Sequence, residues 1–190
     1  MIFNIFGPSG SGKTTFVKKL LKHKEIPTFF ENITKINFEK AERVSISISL
    51  IPLPKFKGTV KEFFNIFSID VNTLLTLDYE LNKLSESIFD KIKDKKTLEK
   101  ISSRHIETFS AGEIRRLFLL KTLLVDSSFI VVDEPFSNSD RKLWEIIYKA
   151  INKKKRIIVL SHLSLNNFFE LDENNYSFHI NDIAKRFNLD

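Results

Sequence analysis

The chain has 190 residues, of which 42% are hydrophobic and 28% are charged, a composition typical of one soluble globular domain. It contains no cysteine, which excludes disulfides, thiolate metal sites and cysteine nucleophiles and fits a reducing compartment. The net charge of +6 would permit an acidic partner, but the basic residues are scattered among 24 acidic ones, so we do not expect nucleic acid binding. No signal peptide is recognisable and no apolar stretch approaches the roughly 18 residues of a membrane span, so the cytoplasm is the expected location.

Short apolar runs predict the strands of a sheet, and a period of 3.6 residues predicts its helices. Strands are predicted over residues 2–6, 44–50, 129–132, 157–160 and 176–180, and helices over residues 13–24 (ended by Pro27) and about 141–152. Residues 59–104 read as helical and polar-rich. This order predicts an α/β fold with a mostly parallel sheet and helices on both faces. We expect residues 1–190 to form a single domain with an inserted helical subdomain over about residues 59–127.

The first motif follows the first predicted strand and opens the first predicted helix. Its residues, which with Thr15 are the predicted nucleotide-binding set, are Gly7, Pro8, Ser9, Gly10, Ser11, Gly12, Lys13 and Thr14. They fit the phosphate-loop pattern G-x-x-x-x-G-K-[ST], in which the glycines let backbone N–H groups turn toward phosphate oxygens. Lys13 is predicted to reach the β- and γ-phosphates, and the Thr14 hydroxyl is predicted to ligate Mg²⁺. The sequence therefore predicts the core of a P-loop nucleoside triphosphatase.

Two carboxylates and a histidine end two later apolar strands. Asp133 and Glu134 follow residues 129–132, and His162 follows the next predicted strand. Because ligands collect at the carboxyl ends of strands in open α/β sheets, we expect Asp133 to hold Mg²⁺, directly or through water. Glu134 is predicted to be the general base that polarises the attacking water, and His162 to contact that water and the γ-phosphate. The alternatives are two acids that cap a strand end and a structural histidine.

Residues 110–113, Ser110-Ala111-Gly112-Glu113, have two interpretations. Ser followed three residues later by Glu, ahead of an apolar helix, is the pattern of a capping box. The N-terminus of such a helix also favours a γ-phosphate that approaches from another subunit. The apolar residues that follow, Ile114, Leu117, Phe118 and Leu124, predict one buried helix face. The two interpretations are compatible, and the four residues alone do not decide between them.

The ordered set of motifs resembles the nucleotide-binding subunit of ABC transporters over nearly the whole chain. The resemblance implies a Walker A loop at residues 7–14, a signature motif at residues 110–113, a Walker B pair at Asp133 and Glu134, a D-loop aspartate at Asp140 and a switch histidine at His162. In that family two cassettes close head to tail, so Ser110 and Gly112 of one subunit would clamp ATP held by Lys13 of the other. The implied cofactors are ATP and Mg²⁺. The implied partners are a second cassette and integral membrane transporter subunits, with this chain peripheral on the cytoplasmic face of the membrane.

The sequence departs from that family's pattern in two places. The family's adenine-stacking aromatic residue lies well upstream of Walker A, whereas only six residues precede Gly7 here. We expect this aromatic residue to be absent or supplied from elsewhere, with Phe29 and Phe30 as candidates. The family's Q-loop glutamine should fall near residues 51–54, yet the chain contains no glutamine. Slow or partner-dependent ATP hydrolysis is the expected result.

The leading interpretation is an ATP-hydrolysing subunit that powers a membrane transporter through ATP-dependent cassette dimerisation. A second class is a non-transport ABC-type ATPase acting on nucleic acid or ribosomes. Its DNA-repair members usually carry long coiled coils between Walker A and signature, and its translation-factor members usually carry two cassettes. In this sequence Ser110 lies only 97 residues after Lys13 (110 − 13) and there is one set of motifs, so this class is less favoured. A third class is a P-loop small-molecule kinase, which needs an arginine-rich lid. Arg104, Arg115 and Arg116 are too few for such a lid and lie too close to the signature helix.

Overall fold

The structure is a computed structural model that describes residues 1–23, 25–34, 46–49, 55–137, 139–153, 156–170 and 175–186. Its strands are β1 (Ile2–Phe6), β2 (Ile46–Ser49), β3 (Phe129–Asp133), β4 (Ile157–Ser161) and β5 (Tyr176–His179). Its helices are α1 (Lys13–Lys22), α2 (Ile26–Thr34), α3 (Val60–Ile66), α4 (Tyr79–Phe89), α5 (Lys95–Ser102), α6 (Ala111–Leu124), α7 (Arg141–Asn152) and α8 (Ile180–Arg186). Within the described ranges, no helix is long and apolar enough to cross a membrane.

The described strands form one five-stranded sheet in the order β2-β3-β4-β1-β5, and every pairing is parallel. Phe6 at the end of β1 lies opposite Ser161 at the end of β4, and Asp133 at the end of β3 lies opposite Leu160. The carboxyl ends of β1, β3 and β4 therefore meet at one edge of the sheet, and the segments that leave them are neighbours. This confirms the predicted α/β P-loop fold.

Each face of the sheet is covered by its own set of helices. Alternate strand residues such as Val132 and Val159 pack against buried residues of α3 to α7. The intervening residues, such as Val131 and Ile158, pack against α1, α2 and α8. Every residue of β3 and β4 is buried, as expected of central parallel strands covered on both faces. Strands β3 and β4 are thus apolar up to their last residues, Asp133 and Ser161, which are polar.

The described part of the predicted helical segment, residues 59–127, holds helices α3 to α6 and no strand. Side-chain caps begin its four helices, with Thr59, Asp78, Asp94 and Ser110 each accepting a backbone N–H of the first turn. Phe63 packs against the rings of Phe56, Phe64, Phe67 and Phe118. The apolar cluster of these helices is continuous with one face of the sheet. The division into a single domain with a helical subdomain stays a prediction.

Three local predictions differ from the structure. The first helix ends at Lys22 and not at residue 24. Pro27 does not end the first helix but lies in the first turn of α2. Backbone N–H groups in a first turn have no partner within the helix, so proline fits there without loss of a hydrogen bond. In α6 the predicted single apolar face is wrong, because Leu119 and Leu123 are also buried where the helix packs between α4 and strands β2 and β3. Residues 44, 45 and 50 of the predicted second strand lie outside the described residues, as do residues 51–54.

Candidate nucleotide-binding site

The phosphate loop, residues 7–14, leaves β1 and opens α1. Gly10 and Gly12 have φ values of 78° and 88°, a left-handed conformation that glycine adopts without steric cost. Gly12 is the N-cap residue of α1 and has no side chain to cap the helix. The N–H groups of the first turn of α1 therefore remain available to an anion, and the helix dipole favours one there.

Lys13 lies inside this loop. Its side chain is 6% exposed, and its Nζ donates hydrogen bonds to the backbone oxygens of Gly7 at 2.7 Å and Pro8 at 3.1 Å. The same Nζ lies 3.9 Å from Oε1 of Glu134. The ammonium group is thus held between the loop and the end of β3, where it can exchange these partners for phosphate oxygens.

Thr14 and Asp133 form a pair of oxygen ligands suited to a hard cation. The Thr14 hydroxyl donates to Oδ2 of Asp133 at 2.9 Å, and Asp133 is 8% exposed at the end of β3. Among the described residues, no group of three or more acidic or histidine side chains could hold a metal on its own. Mg²⁺ typically takes one or two protein oxygens together with substrate phosphates and water. The residues present therefore fit Mg²⁺ bound jointly with a nucleotide.

Glu134 and His162 meet at the same edge of the sheet. His162 Nε2 lies 3.5 Å from Oε1 of Glu134, and His162 remains 53% exposed. Burial raises the pKa of Glu134, while the nearby His162 and Lys13 oppose that shift and Asp133 adds to it. Glu134 has a φ of 49°, which L-residues rarely adopt and which the surrounding contacts must hold. The carboxylate is therefore a partly buried group placed beside a solvent-accessible imidazole.

The segment that carries His162 is anchored by Asn4, a residue that sequence reasoning missed. Asn4 is fully buried in β1 and donates to Ser161 Oγ at 2.7 Å. Its Oδ1 accepts from Leu165 N at 2.9 Å and from Ser177 Oγ at 2.8 Å. One amide thus ties β1 to β4, β5 and the turn after His162. The available signal was a single polar residue within an otherwise apolar strand, since a buried amide must find partners.

These groups line one cavity of about 500 Å³, the phosphate cavity. Its lining residues are Ser9, Gly10, Ser11, Gly12, Lys13, Thr14, Thr15, Arg115, Asp133, Glu134, Ser137 and His162. The structure therefore brings together most of the predicted phosphate loop with the predicted carboxylates and histidine. Arg115 and Ser137 line the same cavity and were not predicted to do so. Arg115 reaches the cavity because of how α6 is rotated against the sheet, and the sequence pattern does not predict that rotation.

The signature segment, residues 110–113, lies apart from the phosphate cavity. Ser110 Oγ accepts from Glu113 N at 3.2 Å, and Glu113 Oε2 accepts from Ser110 N at 2.7 Å, so the predicted capping box is present. Ser110 and Ala111 are exposed. Asp140 is exposed too and caps α7 by accepting from Leu143 N at 2.8 Å. None of these residues is among the described residues that line the cavity.

The suggested adenine-stacking role of Phe29 is wrong. Phe29 is 1% exposed and packs edge-on against Phe3 and Phe16, with ring centroids 6.1 and 5.7 Å away. A ring enclosed in the core cannot stack on a base. The side chain of Phe30 lies outside the described residues, as does the expected position of the Q-loop glutamine at residues 51–54.

Comparison with known proteins supports the sequence resemblance. The protein-family model described as "ABC transporter" matches residues 1–137. The chain is 30% identical over 167 residues to the zinc import ATP-binding protein ZnuC of Ehrlichia chaffeensis, covering 84% of this chain and 60% of that protein. It is 31% identical over 180 residues to the "Probable ATP-dependent transporter ycf16" of Trieres chinensis, covering 85% of this chain and 70% of that protein.

Among solved structures, the fold is similar to a chain in the complex of the archaeal ribosomal stalk protein aP1 and the archaeal ribosome recycling factor aABCE1. The TM-score is 0.57 at 23% identity, covering 85% of this chain and 28% of that chain. At this identity the likeness concerns the fold alone. The chain spans 60% of the length of the zinc import protein. With the family model matched over most of its residues, the chain belongs to the ABC transporter family.

Proposed function

We propose that this chain is an ATP-binding and ATP-hydrolysing subunit that powers a membrane transporter through ATP-dependent pairing of two cassettes. The observation that carries the proposal is the convergence of Lys13, the Thr14–Asp133 pair and the Glu134–His162 pair on one cavity at the strand ends. Family membership supplies the reaction class.

The phosphate loop binds the triphosphate. Backbone N–H groups at the start of α1 face the phosphate oxygens, and Lys13 neutralises charge on the β- and γ-phosphates. Thr14 and Asp133 would hold Mg²⁺, which supplies further neutralisation of phosphate charge when bound. Lys13 can perform its role because its present partners are two carbonyls of the same loop, 2.7 and 3.1 Å away.

Glu134 serves as the general base. Its carboxylate accepts a proton from a water molecule as the water oxygen attacks the γ-phosphorus, and the bond to the departing ADP breaks. A pKa raised by burial makes this carboxylate a stronger proton acceptor than an exposed one. His162, 3.5 Å from that carboxylate, orients the water and contacts the γ-phosphate.

The second half of the site comes from another cassette. The exposed N-terminus of α6 leaves Ser110 and Gly112 accessible to a γ-phosphate bound to a partner's phosphate loop. Asp140, exposed at the start of α7, would lie at the same interface. Integral membrane subunits would complete the transporter, with this chain peripheral on the cytoplasmic face.

The variant Glu134→Gln tests the proposal. Loss of the base should lower kcat by about 10³-fold, within the roughly 10² to 10⁴-fold range of general-base catalysis. ATP binding should persist, because Lys13 and the loop are unchanged, and ATP with Mg²⁺ should trap a dimer seen by size-exclusion chromatography with light scattering. Glu99→Gln, on an exposed residue of α5, is the matched control and should behave like the unaltered protein.

Three outcomes would contradict the proposal. If Glu134→Gln binds ATP and Mg²⁺ but stays monomeric, the shared site is wrong. If the unaltered protein transfers phosphate to an added nucleotide and not to water, the chain is a kinase. A co-purification from native membranes that recovers no membrane protein would argue against the transporter role.

A further inference from the structure

Helix α6 contributes to two places in the molecule. Its N-terminus carries the signature segment, which lies outside the phosphate cavity of its own chain. Between one and two helical turns later, Arg115 lines that cavity together with Lys13, Glu134 and His162. The same helix therefore borders the chain's own nucleotide site and presents its end to a partner's site.

Arg115 reaches Glu134 through one intermediate residue. Its Nη1 donates a hydrogen bond of 2.5 Å to Ser137 Oγ. Ser137 in turn donates twice to the backbone oxygen of Glu134, from Oγ at 2.8 Å and from N at 3.1 Å. These bonds connect the guanidinium of Arg115 in α6 to the backbone carbonyl of Glu134 without a gap.

The backbone of Glu134, where these hydrogen bonds end, has a conformation that its surroundings must hold. Glu134 has a φ of 49°, and a residue without glycine's freedom keeps such a conformation only when its surroundings hold it. Its N–H is bonded to Leu160 O at 2.8 Å. The Ser137 bonds hold the carbonyl side, and together the two sets of contacts fix the direction in which the Glu134 side chain leaves the backbone.

We propose that Arg115 is a positioning residue, which through Ser137 holds Glu134 in the conformation that activates water. This inference rests on the proposed ATP hydrolysis and goes beyond it by naming two residues that hold its general base in place. Because Arg115 and residues 110–113 share one rigid helix, a shift of α6 on engaging the partner's phosphate would change the Arg115–Ser137 bond. The base of one site would thereby respond to the occupancy of the other.

The guanidinium suits this position better than an ammonium group. The guanidinium carries five N–H donors in a fixed plane, and the bond to Ser137 uses one of them. The same side chain borders the phosphate cavity. The neighbouring Arg116 has a different task, since its Nη2 donates to Ser87 O at 3.0 Å and fastens α6 to α4. The two adjacent arginines thus anchor α6 to different elements.

The experiment measures kcat, KM, ATP affinity and Tm for Arg115→Ala, Ser137→Ala and the double variant of the full chain. Each single change should lower kcat by on the order of 10²-fold, the scale of a small misplacement of a catalytic group. ATP affinity should fall by much less than kcat, because both residues line the phosphate cavity but neither belongs to the phosphate loop. The double variant should be no worse than the single ones, since both changes break the same chain of bonds. Arg115→Lys should recover part of kcat.

The matched control is Arg156→Ala, at the opposite edge of the sheet, where Arg156 lies over the Phe129 ring with Cζ 5.3 Å from its centroid. It should leave kcat unchanged. Unchanged kcat in Arg115→Ala, or equal losses of kcat, ATP affinity and Tm, would overturn the inference. Fully additive losses in the double variant would also overturn it. Absence of hydrolysis by the unaltered protein, both alone and together with the membrane partners it co-purifies with, would overturn the proposed function itself, and with it this role of Arg115.

Discussion

The phosphate cavity and helix α6 carry the two halves of the motif set, and they are built in opposite ways. In the cavity, Lys13 and Asp133 are buried and already bonded to neighbours. At the start of α6, Ser110 is exposed, and its side chain bonds within its own capping box. The deeper part of α6 is buried on all sides among apolar residues. One half is therefore preorganised within the chain, whereas the other ends in an exposed helix N-terminus that is proposed to meet a partner cassette.

A pair of buried lysines shows the same difference. Lys13 has two backbone carbonyls and the Glu134 carboxylate within 3.9 Å. Lys121 in α6 is 5% exposed and lies over the Phe67 ring, with its Nζ 4.4 Å from the centroid. Burial lowers the pKa of Lys121 to about 8. Three oxygen atoms lie near the charge of Lys13, whereas burial disfavours the charged form of Lys121 and so lowers the free energy of unfolding at neutral pH.

The largest expected effect in this comparison comes from Lys13→Ala. Removing the ammonium group leaves the β- and γ-phosphates without their main protein cation. ATP affinity should fall by about 10³-fold, or about 4 kcal/mol, the scale of truncating a buried charged partner. Isothermal titration calorimetry with ATP and Mg²⁺ measures it. Lys18→Ala, on the exposed face of α1, should bind normally, and equal losses in the two variants would show that general positive charge is responsible.

Local motifs explain why much of the cavity was predictable. The phosphate loop, Asp133, Glu134 and His162 each follow an apolar strand, and a parallel sheet brings such strand ends together. Asn4 and Arg115 could not be placed in this way. The bonds of Asn4 depend on which strands flank β1, and the position of Arg115 depends on the rotation of α6 against the sheet. The all-round burial of α6 was missed because a periodic pattern reports one apolar face and not how many elements surround a helix.

The buried lysine of α6 gives the next largest effect, which depends on pH. The pKa of Lys121 is about 8 in the folded chain and 10.5 when exposed. Between these values the unfolded chain binds the extra proton, so the free energy of unfolding rises with pH across this window. Lys121→Met removes the charged group, and it should be more stable than the unaltered protein by about 2 kcal/mol at pH 7. The gap should close toward pH 10.

Urea unfolding at pH 7, 8, 9 and 10 measures this gap. Lys61→Met, on the exposed face of α3, is the control, and its difference from the unaltered protein should not change with pH over this range. A constant difference between Lys121→Met and the unaltered protein would show that the Lys121 charge is not disfavoured by burial. In that case burial would not set the charge of Lys121 apart from that of Lys13.

The smallest effect, and the most specific one, concerns the signature end of α6. Ser110→Ala removes the side chain that caps this helix and should lower the free energy of unfolding by about 1 kcal/mol. Thr59→Ala is a matched control, because Thr59 and Glu62 form the same capping box at the start of α3. Its cost in urea unfolding should be similar.

The two variants should differ in kcat and in ATP-dependent dimerisation. Ser110→Ala should also lower kcat and weaken the ATP-dependent dimer, because Ser110 is proposed to contact the partner's γ-phosphate, whereas Thr59→Ala should leave both unchanged. If the two variants lose the same stability and both keep full turnover, the Ser110 side chain is a helix cap alone. The exposure of this end of α6 would then not mark a binding surface, and the contrast with the phosphate cavity would reduce to one of packing.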